Sequence, residues 1–465
     1  MIRSLAATLA ELPPLPAEGA GDAIRAAVAA NPSHKIVVLD DDPTGTQTVY
    51  DVPVLTTWNV AALKAEFARK PACFYVLTNS RSLPPAAARA LNVEIARNLR
   101  LAAGDCTFTV ISRSDSTLRG HFPAETDALG EILGPFDATF VIPYFEAGGR
   151  YTLDDVHYVA EGDNLVPAGE TPFARDASFG YANSNLRAWI EEKSAQRVRA
   201  AEVHSLSIGE LRAGPNLVVE RLLALPKGAY CVVNACHPRD IEQFALAILS
   251  AERAGRRFLF RTAAQFVSAR LGLAPRRLLS PRALNLPRQG GGLIIVGSHV
   301  PTTTEQLQRL LFAAVDLGVI ELSVDLLLDA ARREAELGRA RAALQVALRA
   351  GRDVVLYTSR RLITRGDAAE NLKIGRSVSE ALITLVRDLE VRPRYIVAKG
   401  GITSSDVATR GLGVRRAMVR GQILPGVPVW ETGMETRFPG LCYIVFPGNV
   451  GGPDALTDVR RILSA

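Results

Sequence analysis

The chain has 465 residues, 48% hydrophobic and 22% charged, which is ordinary globular usage and excludes a disordered chain, a collagen or a coiled-coil rod. Its +6 charge comes from 54 basic and 48 acidic residues dispersed along the chain; without a basic tail or basic–aromatic ladder no nucleic-acid partner is expected, and a mildly positive field suits a small anionic substrate. No apolar run approaches the ~20 residues of a bilayer span, the start is too soon interrupted by Glu11 for a secretory signal, and five scattered Cys make a reducing cytoplasm the expected setting, with no membrane partner.

Length predicts two or three domains. Short apolar runs recur at residues 36–39, 74–77, 108–111, 139–142, 231–233, 293–296, 354–357, 395–397 and 443–446. Continuous runs of this kind suit strands buried on both faces, as in parallel sheets. Helix-period stretches lie between them, at 86–101, 241–255, 325–350 and 377–389. The reading is α/β, with two domains, each a largely parallel sheet flanked by helices. The segment 273–292 is rich in Pro and Gly and lacks a period, which marks a linker. The expected division is 1–275, a linker at 276–292, and 293–465. Residues 151–185 look irregular and read as a long connection.

Ligands of open α/β sheets bind at the carboxyl ends of strands, and those ends are polar here. Asp40, Asp41 and Asp42 follow the first apolar run, then Thr44 and Gly45. Such acids fit a turn or cap, or a carboxylate that takes a proton from a hydroxyl or helps hold a metal. Ser80-Arg81 ends the second run. Arg113, Asp115 and Arg119 end the third, combining cations for a carboxylate with an acceptor for hydroxyls. The C-terminal half ends its strands with Gly297-Ser298, with Lys399-Gly400-Gly401-Ile402-Thr403-Ser404, and with Gly448-Asn449-Val450-Gly451. Small residues let backbone N–H groups approach phosphate oxygens. Thr302 and Glu305 have capping-box spacing, which predicts a helix starting there.

Several signatures are missing. There is no G-x-x-x-x-G-K-[ST], no G-x-G-x-x-G after a strand, no H-E-x-x-H and no G-x-S-x-G. Cys231, Cys236 and His237 lack a complementary ligand set, so no zinc site is expected.

Taken in order, these motifs resemble the four-carbon acid sugar kinases. The likeness rests on Asp41-Asp42-Pro43-Thr44-Gly45, Ser80-Arg81, Asp115-Ser116-Thr117-Leu118-Arg119-Gly120, Gly149-Arg150, Gly297-Ser298, Gly400-Gly401-Ile402-Thr403-Ser404 and Gly448-Asn449-Val450-Gly451. The departures are Arg113 in place of a common Lys, Asn234 in place of a common Asp, and His299-Val300-Pro301 after the Gly-Ser turn. These bear on which sugar acid is used. The resemblance implies a sugar-acid domain, a nucleotide domain and an active site in the cleft between them, closing about the linker. It implies ATP with Mg²⁺, for which no protein metal ligand can be named. Asp41 or Asp42 would be catalytic, orienting the attacking hydroxyl and accepting its proton; Arg81, Arg113, Asp115, Ser116, Thr117, Arg119 and Arg150 would bind the acid substrate. Ser298, Gly400, Gly401, Ile402, Thr403, Ser404, Gly448, Asn449 and Gly451 would bind the nucleotide. A homodimer is compatible with all of this. The alternatives are a kinase for glycerate or a longer aldonate, a non-catalytic sensor of sugar acid and nucleotide, and an NAD-linked dehydrogenase, against which the missing fingerprint argues.

Overall fold

The computed structural model describes residues 2–361, 363 and 368–464. The chain forms two compact units, one of Met1–Val49 with Thr57–Pro275, the other of Tyr50–Thr56 with Arg276–Ala465. Both are α/β.

In the first unit seven parallel strands lie in the spatial order His204–Leu206, Ala229–Val233, Ala138–Ile142, Phe258–Thr262, Thr107–Arg113, His34–Asp40 and Cys73–Leu77. Their apolar runs are buried on both faces because helices cover the sheet. Pro238–Arg253 is one such helix; His237 accepts from the Arg239 N–H at its start, and Asp240 accepts from the His237 N–H. The core beneath it is aromatic. Phe140 and Phe244 have ring centroids 5.1 Å apart, and Phe260 and Phe266 4.9 Å. Each fully buried ring stabilises the unit by roughly 1.5–3 kcal/mol of apolar transfer.

The second unit has five parallel strands, in the order Cys442–Phe446, Tyr395–Lys399, Leu293–Val296, Val354–Thr358 and Gly318–Leu322. A hairpin of Arg416–Leu424 and Val427–Thr432 extends this sheet antiparallel, and Val52–Leu55 pairs antiparallel with Arg416–Leu424. Among the described residues no helix is long and apolar enough to cross a membrane.

Four features depart from the sequence expectations. Residues 151–185 are not simply irregular: Arg150–Leu153, Val156–Glu161, Asn164–Pro167 and Arg3–Ser4 make a small antiparallel sheet. The stretch 325–350 is two helices, Val324–Leu328 and Arg333–Arg349. Asp329 separates them by accepting from the Ala331 N–H, an alternative to the helical ladder. The helix expected from the Thr302–Glu305 capping box begins instead at Pro301, with Val300 at the cap and no side-chain cap bond. Proline at the first position supplies a helical φ and lacks only an N–H that would be unsatisfied there.

The fourth concerns the expected linker. Leu279 is buried in the core of the second unit beside Val429 and Ile423, and its N–H donates to the Gln422 carbonyl at 2.7 Å. The segment Tyr50–Thr56 also belongs to that unit rather than to the flanking 1–275. Leu279→Ala should cost about 2–5 kcal/mol locally. Hydrogen exchange should then quicken in Arg416–Leu424 and stay unchanged in His34–Asp40; equal effects on both strands would contradict this docking.

Candidate active site

The site of the first unit grows from the carboxyl end of His34–Asp40. Three successive carboxylates emerge there, between strands that each supply a guanidinium. Arg113, the last residue of its strand, pairs with Asp40 at 3.0 Å. Arg81, in the turn after Cys73–Leu77, donates Nη2 to Asp41 Oδ1 at 2.5 Å and Nη1 to Asp42 Oδ2 at 3.0 Å. Asp41 also accepts from the Ser114 hydroxyl at 2.5 Å. Asp42 accepts from the Thr44 N–H at 2.8 Å and from its hydroxyl.

Exposure separates the three acids. Asp40 is 1% exposed and Asp41 3%, whereas Asp42 keeps 24% of its side chain in solvent. Complete burial pushes the Asp40 carboxyl up to about 7; Arg113 opposes this, and Asp41 and Asp42 add to it. Burial works against ionisation of Asp42 too, but the Arg81 charge and the Thr44 bonds outweigh it and hold that carboxyl below its ordinary value.

Two glycines of the motifs are explained by crowding. A Cβ on Gly45 would lie 1.8 Å from Asp40 Oδ2. Gly120 has φ +125, and a Cβ there would lie 2.6 Å from Arg261 Nη2 and 2.9 Å from Asp41 Oδ2. Both positions leave no room for a side chain.

A second cluster adjoins the first. Arg119 donates Nε to Asp115 Oδ2 at 2.8 Å, and the Thr117 hydroxyl donates to the same oxygen. Burial disfavours the Asp115 anion, but the Arg81 and Arg119 charges and these bonds hold its carboxyl well below the usual range. Ser116 contributes its carbonyl, which accepts from His157 Nε2 at 2.7 Å. His157 is fully buried, which lowers its pKa to about 4; the neutral ring then accepts at Nδ1 from the Thr152 hydroxyl. Arg119 and Arg150 stack on the same Phe173 ring, 5.2 and 5.4 Å from its centroid. Arg150 has no carboxylate partner among the described residues, and its buried Nε has no hydrogen-bond partner. Burial, and then the neighbouring Arg119 charge, lower its proton affinity against the pull of Asp115.

One member of this site was not singled out in the sequence. Arg261 donates to Glu125 Oε2 at 2.5 Å, to Ser112 at 2.9 Å and to Ser114 at 2.7 Å. It thereby braces the hydroxyl that bonds Asp41. The available signal was a charged residue inside the apolar run Phe258–Thr262.

The second unit gathers most of its expected residues around one cleft of about 370 Å³. Ser298, Gly400, Gly401, Ile402 and Thr403 line it, with Val324, Val378 and Leu382 as apolar wall. The turns close on one another through glycine: a Cβ on Gly297 would lie 2.3 Å from Thr403 Oγ1, and one on Gly400, at φ +120, 2.9 Å from Ser298 Cβ. Four expected residues lie outside the lining. Ser404 turns inward to donate to the Ala398 carbonyl at 2.6 Å, while Asn449 and Gly451 are outside the lining. Gly448 backs onto Ser298, where a Cβ would sit 3.1 Å from its Oγ.

Three residues that the motifs passed over hold these loops. Lys399 is buried, donates to the Pro447 carbonyl at 2.7 Å and lies 3.8 Å over the Phe446 ring; burial lowers its amine to about 7. Gln306 Nε2 reaches the carbonyls of Val450, Gly451 and Gly452. Arg360 donates Nη2 to the Ser298 carbonyl at 2.7 Å, and its buried Nε and Nη1 have no partner among the described residues. Among the described residues there is no cluster of three or more metal-ligating side chains.

Residues 36–270 match the family model of a sugar-binding N-terminal domain, and residues 293–456 that of a nucleotide-binding C-terminal domain. Fold and matches together define a two-domain α/β protein of the sugar-binding, nucleotide-binding class. The chain belongs to the four-carbon acid sugar kinase family. It is 29% identical to a 3-oxo-tetronate kinase of Cupriavidus necator over 400 residues, covering 83% of this chain and 86% of that one. A D-threonate kinase of the same organism is 26% identical over 81% of this chain and 84% of its own length. A D-erythronate kinase of Heliobacterium modesticaldum is 27% identical over 50% of this chain and 49% of its own. Among solved structures, a Haemophilus influenzae protein shares the fold with a TM-score of 0.65 at 19% identity, covering 92% of this chain and all of that one.

Asp40 gives a test of the electrostatics. It binds its proton more tightly folded than unfolded, so its contribution to stability is full below about pH 4 and is lost as pH rises through about 7. The thermal midpoint of the wild type relative to Asp40→Asn should therefore fall across that window. A constant difference would contradict the raised pKa.

Proposed function

We propose that the protein transfers the terminal phosphoryl group of ATP to the terminal hydroxyl of a four-carbon sugar acid. One observation carries this reading: of three paired carboxylates at one strand end, Asp42 alone is open to solvent while Arg81 holds it beside Asp41. The names of the relatives support the substrate class, and the free cysteines support a cytoplasmic setting.

Phosphoryl transfer needs positioning and charge neutralisation more than covalent help. Asp42 stays ionised at neutral pH and accepts the hydrogen bond of the attacking hydroxyl, taking its proton late. Asp41, closed in by Arg81 and Ser114, acts as a positioning residue. Arg113 is committed to Asp40 and plays a similar supporting part. The substrate carboxylate goes to Arg150 and Arg119, whose like charges on one ring are relieved by an anion between them. Asp115 and Thr117 accept from the remaining hydroxyls or fix Arg119, and Ser116 fixes the loop.

In the second unit, the cradle that a Cβ would fill suits phosphate oxygens against bare backbone, and the apolar wall suits a base. Gly400, Gly401, Thr403 and Ser298 would hold the nucleotide, with Ile402 at its edge. Arg360 adds a cation beside Ser298, and Gly448 backs that turn. Asn449 and Gly451 belong to the loop that Gln306 and Lys399 hold. The chain contributes no carboxylate cage for Mg²⁺ among the described residues, so Mg²⁺ would be held chiefly by the phosphates it neutralises, keeping waters.

Two experiments test the assignments, each with coupled ADP release over C3 to C6 sugar acids of both stereochemical series. Asp42→Asn should lower kcat by about 10²–10⁴-fold, the span of general-base loss; turnover near wild type would remove Asp42 from the chemistry. Arg150→Ala should raise KM for the acid by about 10–100-fold, the worth of a charged hydrogen bond, and leave KM for ATP alone. Gly400→Ala should do the reverse. A shared rise in both constants would defeat the division of labour between the units.

A further inference from the structure

The strand His34–Asp40 has two polar ends. Asp40 belongs to the site above, whereas His34 begins the strand about 20 Å away at ~3.3 Å per residue. A separate cavity of about 340 Å³ opens around this amino end, with His34, Thr107 and Phe258 in its wall, each the first residue of its strand. It lies wholly within the first unit.

Arg270 makes this cavity a candidate binding site. It lines the cavity, is 1% exposed, and ends the helix Ala264–Arg270. Nη2 pairs with Glu252 Oε2, but Nε and Nη1 have no partner among the described residues. Buried guanidinium donors are ordinarily all engaged, because an unpaired one forfeits its hydration without return.

The neighbouring groups do not supply the missing acceptors. Glu252 spends Oε1 on the Thr109 hydroxyl at 2.9 Å. The His34 ring spans Thr107 and Thr109 at 2.9 and 3.0 Å, and burial, then the Arg270 charge, lower its pKa to about 4, so it is neutral. At the rim, Arg253 is exposed, Arg256 is paired with Asp137 at 3.0 Å, and Arg257 stacks on Phe136. Glu252 is the sole acid of the lining, against four arginines. Phe108, Phe136 and Phe258 provide aromatic wall between these charges.

We propose that this cavity is a second ligand site, binding a small organic anion whose carboxylate or phosphate group engages the free donors of Arg270, with its body against Phe108 and Phe258. The positive rim draws such an anion in, and the volume suits a metabolite rather than a macromolecule. This site stands apart from the strand-end carboxylates and does not depend on the reaction assigned to them.

The test is isothermal titration of the full chain carrying Arg150→Ala, which weakens anion binding at the other site. Inorganic phosphate and succinate are titrated separately, so that the two arms distinguish a phosphate from a carboxylate ligand. At least one should bind with a millimolar or tighter Kd. Adding Ala27→Phe, which fills the cavity from its half-buried helical wall, should weaken that binding about tenfold or more while circular dichroism and the thermal midpoint hold. Arg270→Met should do the same if it folds; if it unfolds, Ala27→Phe decides, because it keeps Arg270. Absence of binding by either probe, or binding indifferent to Ala27→Phe, overturns the proposal.

Discussion

Everything at the first unit's strand ends follows from the cost of burying a carboxylate. Three consecutive aspartates leave a strand whose neighbours exclude water, and none could remain there unpaired. The flanking strands answer with Arg113 on one side and Arg81 on the other. Ser114, Arg261 and Glu125 then form a second layer of bonds behind them. The motifs beginning at Asp41 and at Asp115 are thus two halves of one packing unit. Each carries a glycine that crowding requires: Gly45 yields to Asp40 of its own segment, and Gly120 to Asp41 and Arg261.

The second unit solves a different problem with different means. Its turns meet through missing side chains rather than through opposed charges. Loop carbonyls that would otherwise lack donors are gathered by one buried amine and one buried amide, Lys399 and Gln306. Such a surface presents backbone N–H groups and few fixed charges, a reasonable partner for an anion that brings its own counter-ion.

The parallel strands were legible because burial on both faces leaves a continuous apolar run, and the candidate sites were marked out by polar residues gathered at the ends of those runs. What stayed hidden has physical causes. Short antiparallel strands such as Arg150–Leu153 and Asn164–Pro167 carry too few residues for a period to emerge. Arg261 sits inside an apolar run and reads as an interruption until its three acceptors are seen. Lys399 looks like part of a glycine loop, yet its amine points back into the fold. Thr302 and Glu305 have the right spacing for a cap, but Pro301 fixes the helix start two residues earlier. The pairing of Val52–Leu55 with Arg416–Leu424 is too distant in the chain for any local pattern to reveal.

That last pairing has a consequence for how the protein is made. Translation delivers Val52–Leu55 early and its hairpin partner near the end, so the ribosome releases most of the N-terminal unit while this one strand still awaits its match. Domains commonly fold as they emerge, but here the later domain borrows a piece of the earlier stretch. Pro53, which lacks an N–H, reduces what the waiting segment can offer to a stray neighbour. Cutting the gene at Pro275 would therefore not yield two independent halves, because the C-terminal product would lack one of its own strands.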